Sequence, residues 1–461
     1  MSKLISLEDT IAAISTPIGE SGVGIVRLSG KNALAIADKI FKSKNGKKPS
    51  EFQTFTTHYG YIGVNSELID EVILTVMRAP RTYTREDVVE INCHSGVVPL
   101  KRILDLTISS GARLAQPGEF TKRAYLNGRI DLSQAEAVLD IIKSRTDRSL
   151  KCAFKQLEGG LSKEINSLRD KILDISANLE ARIDFPDDIT SPLELNSRVD
   201  DIIKNMERLV SSFEQGQILR EGLSMVICGK PNVGKSSLMN ALLKKNRVIV
   251  TPLPGTTRDT IEEQVDIKGL ALRIIDTAGL TEETDYIGYL TAKRADAMIA
   301  EADLILFMLD ASRPLSDEDK RVADKIKDKK LIVVINKIDL PLRIKLDQIK
   351  KAVKAKKIVK ISATRKTGLE LLEEAILEMV FRGKPTLNDN EPLVSNLRHK
   401  DALVKTLEFM IKVQDGLKQD ALPEIIAFDL KDAMDSLGTV SGETTSEDLL
   451  EQVFSQFCIG K

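Results

Sequence analysis

No stretch of this chain reaches the roughly 18 consecutive apolar residues that a membrane-spanning helix needs, so a membrane partner is not expected. Cysteine is scarce and unpatterned: Cys93, Cys152, Cys228 and Cys458 lie far apart with no C-x-x-C pair. That argues against a disulfide scaffold or a zinc finger and points to a reducing, cytoplasmic setting. The start, MSKLISLEDTIAAI, carries acidic residues and has neither a basic region nor a long apolar run, so no signal or transit peptide is expected. Neither sign of charge is in excess, since 67 Lys+Arg face 68 Asp+Glu for a net charge of -1. With no global field, any RNA contact must come from local patches. A protein that simply coats nucleic acid is disfavoured; a tRNA enzyme is not.

What is present divides along the chain. At 461 residues it exceeds one hydrophobic core, and about three domains are expected. Over residues 1–120, GVGIVRLSG, VILTVM and VVEINC are short apolar or alternating runs among Gly and Pro, which read as strands. SKNGKKPS at 43–50 reads as a solvated loop whose lysines could meet RNA. From 121 to 220 the period turns helical. Asp131 is placed to cap a helix carrying Leu132, Ala135, Leu139 and Ile142. Leu150, Phe154, Leu157, Leu161, Ile165, Leu168, Ile172, Ile175, Leu179 and Ile183 then recur at steps of three and four, which puts them on one face of one or two long helices as a bundle core. From 221 to 383 the apolar runs SMVIC, LRIID, LILFML, LIVVIN and IVKIS alternate with helical patterns, as in a largely parallel sheet covered on both faces. Residues 384–461 are helical again, so the α/β domain is expected to be inserted into a helical domain.

GKPNVGKS (229–236) follows strand SMVIC and opens helix SSLMNALL. It fits G-x-x-x-x-G-K-[ST], in which glycines let backbone N–H groups approach phosphates at a helix N-terminus. Asn232, Val233, Gly234, Lys235, Ser236 and Ser237 are thus candidate phosphate contacts, with Lys235 on the β- and γ-phosphates and Ser236 on Mg²⁺. PGTTRDT (254–260) supplies Thr257 as a γ-phosphate and Mg²⁺ sensor. DTAG ends a strand, with Asp276 toward Mg²⁺ and Gly279 toward the γ-phosphate. NKID ends another, where Asp339 can pair with the N1–H and amine of guanine, and Ser362, Ala363 and Thr364 follow as a clamp on the base. Adenine lacks that donor pair, so a GTPase is expected. The position after DTAG, where many such enzymes carry a water-orienting glutamine, is Leu280. Asn232 offers an extra oxygen near the phosphates, where a monovalent cation could offset charge.

With these motifs placed, the chain resembles the tRNA modification GTPases of the MnmE (TrmE) family. The likeness rests on SGVGIVRLSG, PGEFTKRAYLNGRIDLSQAEAVLDII, GKPNVGKS with TPLPGTTRD, DTAGL and the final CIGK. It implies an N-terminal α+β domain that binds tetrahydrofolate and dimerises, a helical bundle in two halves, and a Ras-like P-loop GTPase domain inserted between them. It further implies a homodimer working with an MnmG-type flavoprotein, which uses FAD and NADH, in a heterotetramer or larger complex. Together they would add a carboxymethylaminomethyl-type group to C5 of the wobble uridine of tRNA, using a 5-formyl- or 5,10-methylene-tetrahydrofolate. By the same resemblance Arg27, Glu90, Arg129 and Lys461 are the folate contacts, with Arg129 standing where a lysine is common. Asn232, Thr251, Leu253 (through its carbonyl) and Thr256 would hold K⁺, Ser236 and Thr257 would hold Mg²⁺, and Pro252, Pro254, Gly255, Thr277, Ala278, Asn336 and Lys337 would complete the GTP site.

Three positions stay open. The family often carries a water-orienting glutamate in switch II, and here Asp285 stands at that place with Glu282 and Glu283 beside it; a solvated acidic loop is the alternative. Cys458 in the CIGK end is either a nucleophile or acid of the modification chemistry, or a small packing residue. His94, in INCHSG, is either part of the folate pocket or a hydrogen-bonded structural residue. The rival function is a translation-linked GTPase switch that assists ribosome assembly without RNA chemistry. It accounts for the nucleotide motifs and leaves the N-terminal domain and the CIGK end unexplained.

Overall fold

The computed structural model describes residues 8–65, 67–184, 192–246, 262–276, 297–353, 357–381 and 394–461. The chain divides into two compact units, one of Met1–Leu139, Ser162–Asp170 and Met434–Lys461 and one of Asp140–Leu161 and Lys171–Ala433.

The first unit is built on a seven-stranded sheet of β1 (Ile11–Ile14), β2 (Ser21–Ser29), β3 (Phe41–Ser43), β4 (Thr56–Val64), β5 (Glu67–Met77), β6 (Val88–Ser95) and β7 (Arg113–Leu114) in the order β3-β4-β5-β6-β2-β1-β7. All neighbours are antiparallel except β1 and β7. Alternation sorts the faces. In β6, Val89, Ile91 and Cys93 join a core with Val26, Leu28, Leu74 and the inner residues of helices Ala33–Ile40 and Val97–Ser109, while Glu90 and His94 fall on the other face. Helix Glu119–Leu126 and helix Glu447–Phe454 contribute to a separate core of Ala124, Leu132, Ala135, Leu139, Val453, Phe454 and Phe457. Asp131 caps its helix as expected, its Oδ1 accepting from Gln134 N–H at 2.8 Å.

A charge network runs through this unit. Arg123, 1% exposed at its side chain, donates to Glu86, Glu119 and Asp9, and Arg113 adds a bond to Asp9 (2.7 Å) and two to Glu119. Burial alone would raise the carboxyls of Asp9 and Glu119. Hydrogen bonds from Arg113, joined at Asp9 by Arg123, outweigh it and hold both below their ordinary 3.8 and 4.5.

The second unit carries a six-stranded sheet of β8 (Leu223–Cys228), β9 (Glu262–Ile267), β10 (Leu270–Asp276), β11 (Leu304–Asp310), β12 (Leu331–Asn336) and β13 (Lys357–Lys360), ordered β13-β12-β11-β8-β10-β9 with only β9 antiparallel. Every residue of β11 and β12 is buried, which is why those runs are apolar up to their last residues, Asp310 and Asn336, rather than alternating. This is the largely parallel sheet expected from the alternation of apolar runs and helices. In the same unit, helices Pro192–Ser211 and Leu397–Lys418 pack together although the α/β segment separates them in sequence. Leu195, Val199, Ile202, Met206 and Leu209 are buried on the first, and His399, Leu403, Thr406, Met410 and Val413 on the second, at steps of four and three.

One expectation needs correction. The stripe from Leu150 to Ile183 is broken at Glu158 and Gly159 into helices Asp147–Leu157 and Gly160–Asp184. Leu161, Ile165, Leu168, Ile172, Ile175 and Leu179 are buried, whereas Leu150 and Phe154 are 42% and 51% exposed. The break shifts the helical phase, so Ser149, Ala153 and Gln156 face inward on the first helix instead.

Because Asp9 and Glu119 titrate low in the folded state, their contribution to stability is complete above the ordinary carboxylate range and is lost as pH falls through the folded values. Protection of β1 and helix Glu119–Leu126 against hydrogen exchange is therefore expected to weaken below about pH 4.5. Arg123→Met, which takes the arginine from part-buried Glu86 and leaves Asp9 and Glu119 with Arg113 alone, should lower the opening free energy of these segments by about 3–5 kcal/mol at pH 7. Exchange mass spectrometry of the full chain reads both; an unchanged opening energy in the variant would refute the role given to Arg123.

Candidate functional site

In the α/β unit the strand order reverses at β8, which lies between β11 and β10. Ligands of open parallel sheets bind at the carboxyl ends of strands at such a point. The loop leaving β8 there is 229–234, with Gly229 at φ 145°, Asn232 at φ 64° and Gly234 at φ 101°, and it leads into helix Lys235–Asn246. Gly234 is required by space as well as by φ, since a Cβ there would collide with the side-chain amide of Asn336.

Four side-chain contacts tie down carbonyls on either side of Pro231. Lys235 Nζ donates to the oxygens of Gly229 (2.8 Å) and Lys230 (2.9 Å), Lys337 Nζ to that of Asn232 (2.7 Å), and Asn336 Nδ2 to that of Val233 (2.8 Å). A peptide whose C=O is held on one side turns its N–H to the other; Pro231 has none, so the N–H groups so aimed are those of Lys230, Val233 and Gly234, and such groups make an anion-binding concavity. Asn336, 2% exposed at the end of β12, also accepts from Ala363 N–H at 3.0 Å. Lys337, at φ 66°, pairs with Asp310 at 2.7 Å and holds that carboxyl below its ordinary value against the opposing effect of burial. Asp339 is exposed and its carboxyl is lowered by a hydrogen bond with Ser362, whose backbone pairs with Thr367. The structure thus gathers Asn232, Val233, Gly234, Lys235, Asn336, Lys337, Asp339, Ser362 and Ala363 into linked loops. Thr364 is exposed beside them, and Ser236 and Ser237 are exposed at the start of the helix. Asp276 ends β10. Thr251, Pro252, Leu253, Pro254, Gly255, Thr256, Thr257, Thr277, Ala278, Gly279 and Asp285 lie outside the described residues. Cys228 is buried behind the loop, its thiol pushed up to about 12, which makes it inert.

A second cluster stands in the first unit. Arg27 on β2 and Glu90 on β6 are cross-strand partners in register, joined at 2.8 Å, with side chains only 18% and 20% exposed. The guanidinium of Arg27 lies 5.7 Å from the ring centre of Phe120. The tail closes over the same place. Arg27 Nη1 reaches Gly460 O at 3.5 Å, Phe120 N–H donates to Lys461 O at 3.2 Å, Gly118 N–H donates to Cys458 O at 3.3 Å, and Ile459 bridges to Pro117. Burial pushes the Lys461 ammonium below its ordinary 10.5, Arg27 adds to this, and Glu90 and Cys458 oppose it. Arg129 stacks on Tyr83, 4.8 Å from its ring centre, and Tyr83 OH pairs with Thr121 at 2.9 Å. Cys458 is exposed beside the cluster. His94 shares its strand face with Glu90 but bonds outward to Asp70 at 2.8 Å, and that carboxylate raises its pKa. Phe120, Tyr83 and Lys230 are residues that sequence reasoning passed over. For Phe120 the signal was its place inside PGEFTKRAYLNGR, and for Lys230 its place inside GKPNVGKS.

Comparison with known proteins covers nearly the whole chain. The family described as GTP-binding protein TrmE N-terminus matches residues 10–129, and the MnmE helical domain family matches residues 132–458. The chain belongs to the MnmE family of tRNA modification GTPases. Similar members include the tRNA modification GTPase MnmE of Alkaliphilus metalliredigens, 48% identical over 99% of this chain and 100% of its own length, and that of Clostridioides difficile, 48% identical over 99% and 100%. Among solved structures, an Aquifex aeolicus Era bound to GDP and AlF4⁻ is 34% identical over 41% of this chain and 67% of its own, with a TM-score of 0.29. The G domain of the T. maritima FeoB iron transporter is 26% identical over 34% and 98%, with a TM-score of 0.28. No helix among the described residues is long and apolar enough to cross a membrane.

Within this MnmE-family chain the tail depends on Gly460, whose φ is 94° and whose Cβ, if present, would collide with Ile14 O. Gly460→Ala is expected to unseat the tail at a cost of about 1–3 kcal/mol. The amides of Gly118 and Phe120 should then exchange at least about tenfold faster. Unchanged exchange at those two amides would show that the tail is not held through this glycine.

Proposed function

We propose that this chain is the GTP-hydrolysing component of a cytoplasmic tRNA modification complex, and that the complex adds a carboxymethylaminomethyl-type group to C5 of the wobble uridine. The observation that carries the reading is the convergence of Arg27, Glu90 and the tail bearing Lys461 in a single part-buried cluster, in a chain of this family. A carboxylate that accepts N–H donors, flanked by cations for an anionic tail, is the donor set a reduced folate calls for. Glu90 would read the pterin, while Arg27, Lys461 and Arg129 would meet the carboxylates. The bound tetrahydrofolate, in its 5-formyl or 5,10-methylene form, would supply the one-carbon unit. The aromatic faces of Phe120 and Tyr83 keep the two guanidiniums oriented before a ligand arrives. Cys458, which is exposed, would serve as nucleophile or acid on the uridine.

In the nucleotide site Lys235 would reach the β- and γ-phosphates, with Ser236 and Thr257 on Mg²⁺. Asn232 stands exposed at the crest of the loop, where its side chain, with Thr251, Leu253 and Thr256, would hold K⁺ and offset the charge that an arginine finger offsets elsewhere. Asp285 would orient water. The domains assigned are 1–120, 121–220, 221–383 and 384–461, and the working assembly is a homodimer with an MnmG-type flavoprotein that brings FAD and NADH.

Deleting the gene in the source organism should remove the C5 substituent from wobble uridine, as read by nucleoside mass spectrometry of tRNA; wild type should restore it and Cys458→Ser should not. A wobble uridine unaffected by deletion would overturn the reading in favour of a GTPase switch. Asp339→Asn, which replaces an acceptor pair by an acceptor and a donor, should raise KM for GTP by at least about tenfold. GTP hydrolysis should be faster in potassium than in sodium, and equal rates would remove the cation from the mechanism.

A further inference from the structure

Lys230, the second residue of the phosphate loop, has no part in the nucleotide contacts assigned above. Its side chain reaches segment 310–319. There its Nζ lies 2.7 Å from Asp319 Oδ2 and donates to Ser316 Oγ at 2.7 Å, with the two ionic side chains 18% and 4% exposed. Ser316 and Asp319 are themselves locked as the cap of helix Asp317–Ile326, in which Asp319 Oδ2 accepts from Ser316 N–H and Oγ at 2.9 Å each and Ser316 Oγ accepts from Asp319 N–H. The other carboxylate oxygen of Asp319 is buried and has no hydrogen-bond partner among the described residues, so the charge of this acid leans on the lysine. The same 310–319 segment begins at Asp310, which grips Lys337. Two buried acids at the two ends of one segment thus each hold a lysine from a nucleotide-binding loop.

We propose that Lys230 is a positioning residue for GTP binding, seating the phosphate loop on the helix cap at Ser316 and Asp319. Asn232 and Val233 are held through their carbonyls by the guanine-side residues Lys337 and Asn336. The opposite arm of the loop, Gly229 and Lys230, has its carbonyls held by Lys235, the residue whose amine the phosphates must engage. When Lys235 turns to phosphate, Lys230 keeps that arm in place through its own side chain, so the N–H groups stay aimed at the anion. Pro231 limits how far the two arms can move independently. The proposal rests on the guanine-nucleotide reading of this loop, which binding of a fluorescent GDP to the wild-type chain tests separately.

Three variants of the full-length protein decide it: Lys230→Met, Lys230→Arg and Asp319→Asn. The last keeps an acceptor for the Ser316 cap and removes the charge, so the helix start survives. Stopped-flow release of fluorescent GDP and steady-state GTP hydrolysis are the readouts, with thermal unfolding alongside. Lys230→Met and Asp319→Asn are expected to speed GDP release and raise KM for GTP by about tenfold, while kcat changes less than about threefold and Lys230→Arg recovers most of the loss. Release and KM within about twofold of wild type in Lys230→Met overturn the proposal, whether or not thermal stability falls. A loss confined to kcat overturns it as well, because the lysine would then act in the chemical step.

Discussion

One side-chain amide holds the nucleotide site together. Asn336 donates to Val233 O in the phosphate loop and accepts from Ala363 N–H in the segment after β13, and it does so from the end of a fully buried strand. A carboxamide is suited to this because it offers a donor and an acceptor in one plane with no net charge to desolvate. The amide lies so close to Gly234 that no side chain fits there, which links a glycine in one motif to an asparagine about a hundred residues later. Loops that are separate in sequence are therefore tied into one frame, to which Lys235, Lys337 and Lys230 add further bonds.

The first unit solves a different problem. It must hold cations close together in a part-buried place, where repulsion and desolvation both work against it. Arg27 is neutralised by Glu90 and backed by Phe120, Arg129 is backed by Tyr83, and the ammonium of Lys461 has its pKa lowered. Beneath them, Arg123 and Arg113 fix helix Glu119–Leu126 against β1 and β7 through Asp9 and Glu119, so that Phe120 presents its ring and its N–H to the cluster from a rigid support. The stretch PGEFTKRAYLNGR is for the most part this scaffold. Gly118, Phe120, Arg123 and Tyr125 serve tail seating, packing and charge burial, and only Arg129 is assigned a ligand contact.

Much of this was open to reading from residues. The alternation of apolar strands and helices announced the parallel sheet, and the order of the nucleotide motifs announced the site at its strand ends, because each rests on local spacing. The bundle stripe was read correctly from Leu161 to Leu179 and wrongly at Leu150 and Phe154. A helix break at Glu158 and Gly159 resets the phase there, and steps of three and four carry no mark of such a reset. His94 was left between two roles, and its bond to Asp70 depends on β5 lying beside β6, a neighbour relation that spacing does not encode.

The sequence by itself determined the elements, the nucleotide loop and the family, since periodicity, glycines at positive φ and motif order are properties of residues near one another in the chain. Tertiary structure alone decided which charges meet. Arg27 finds Glu90 63 residues away and the Gly460 carbonyl 433 residues away, and Lys230 finds Ser316 86 residues away. Such pairings follow from strand register, helix caps and the seating of the tail. They are set by the packing of whole elements, and in the sheet a shift of one residue would turn Arg27 to the face opposite Glu90.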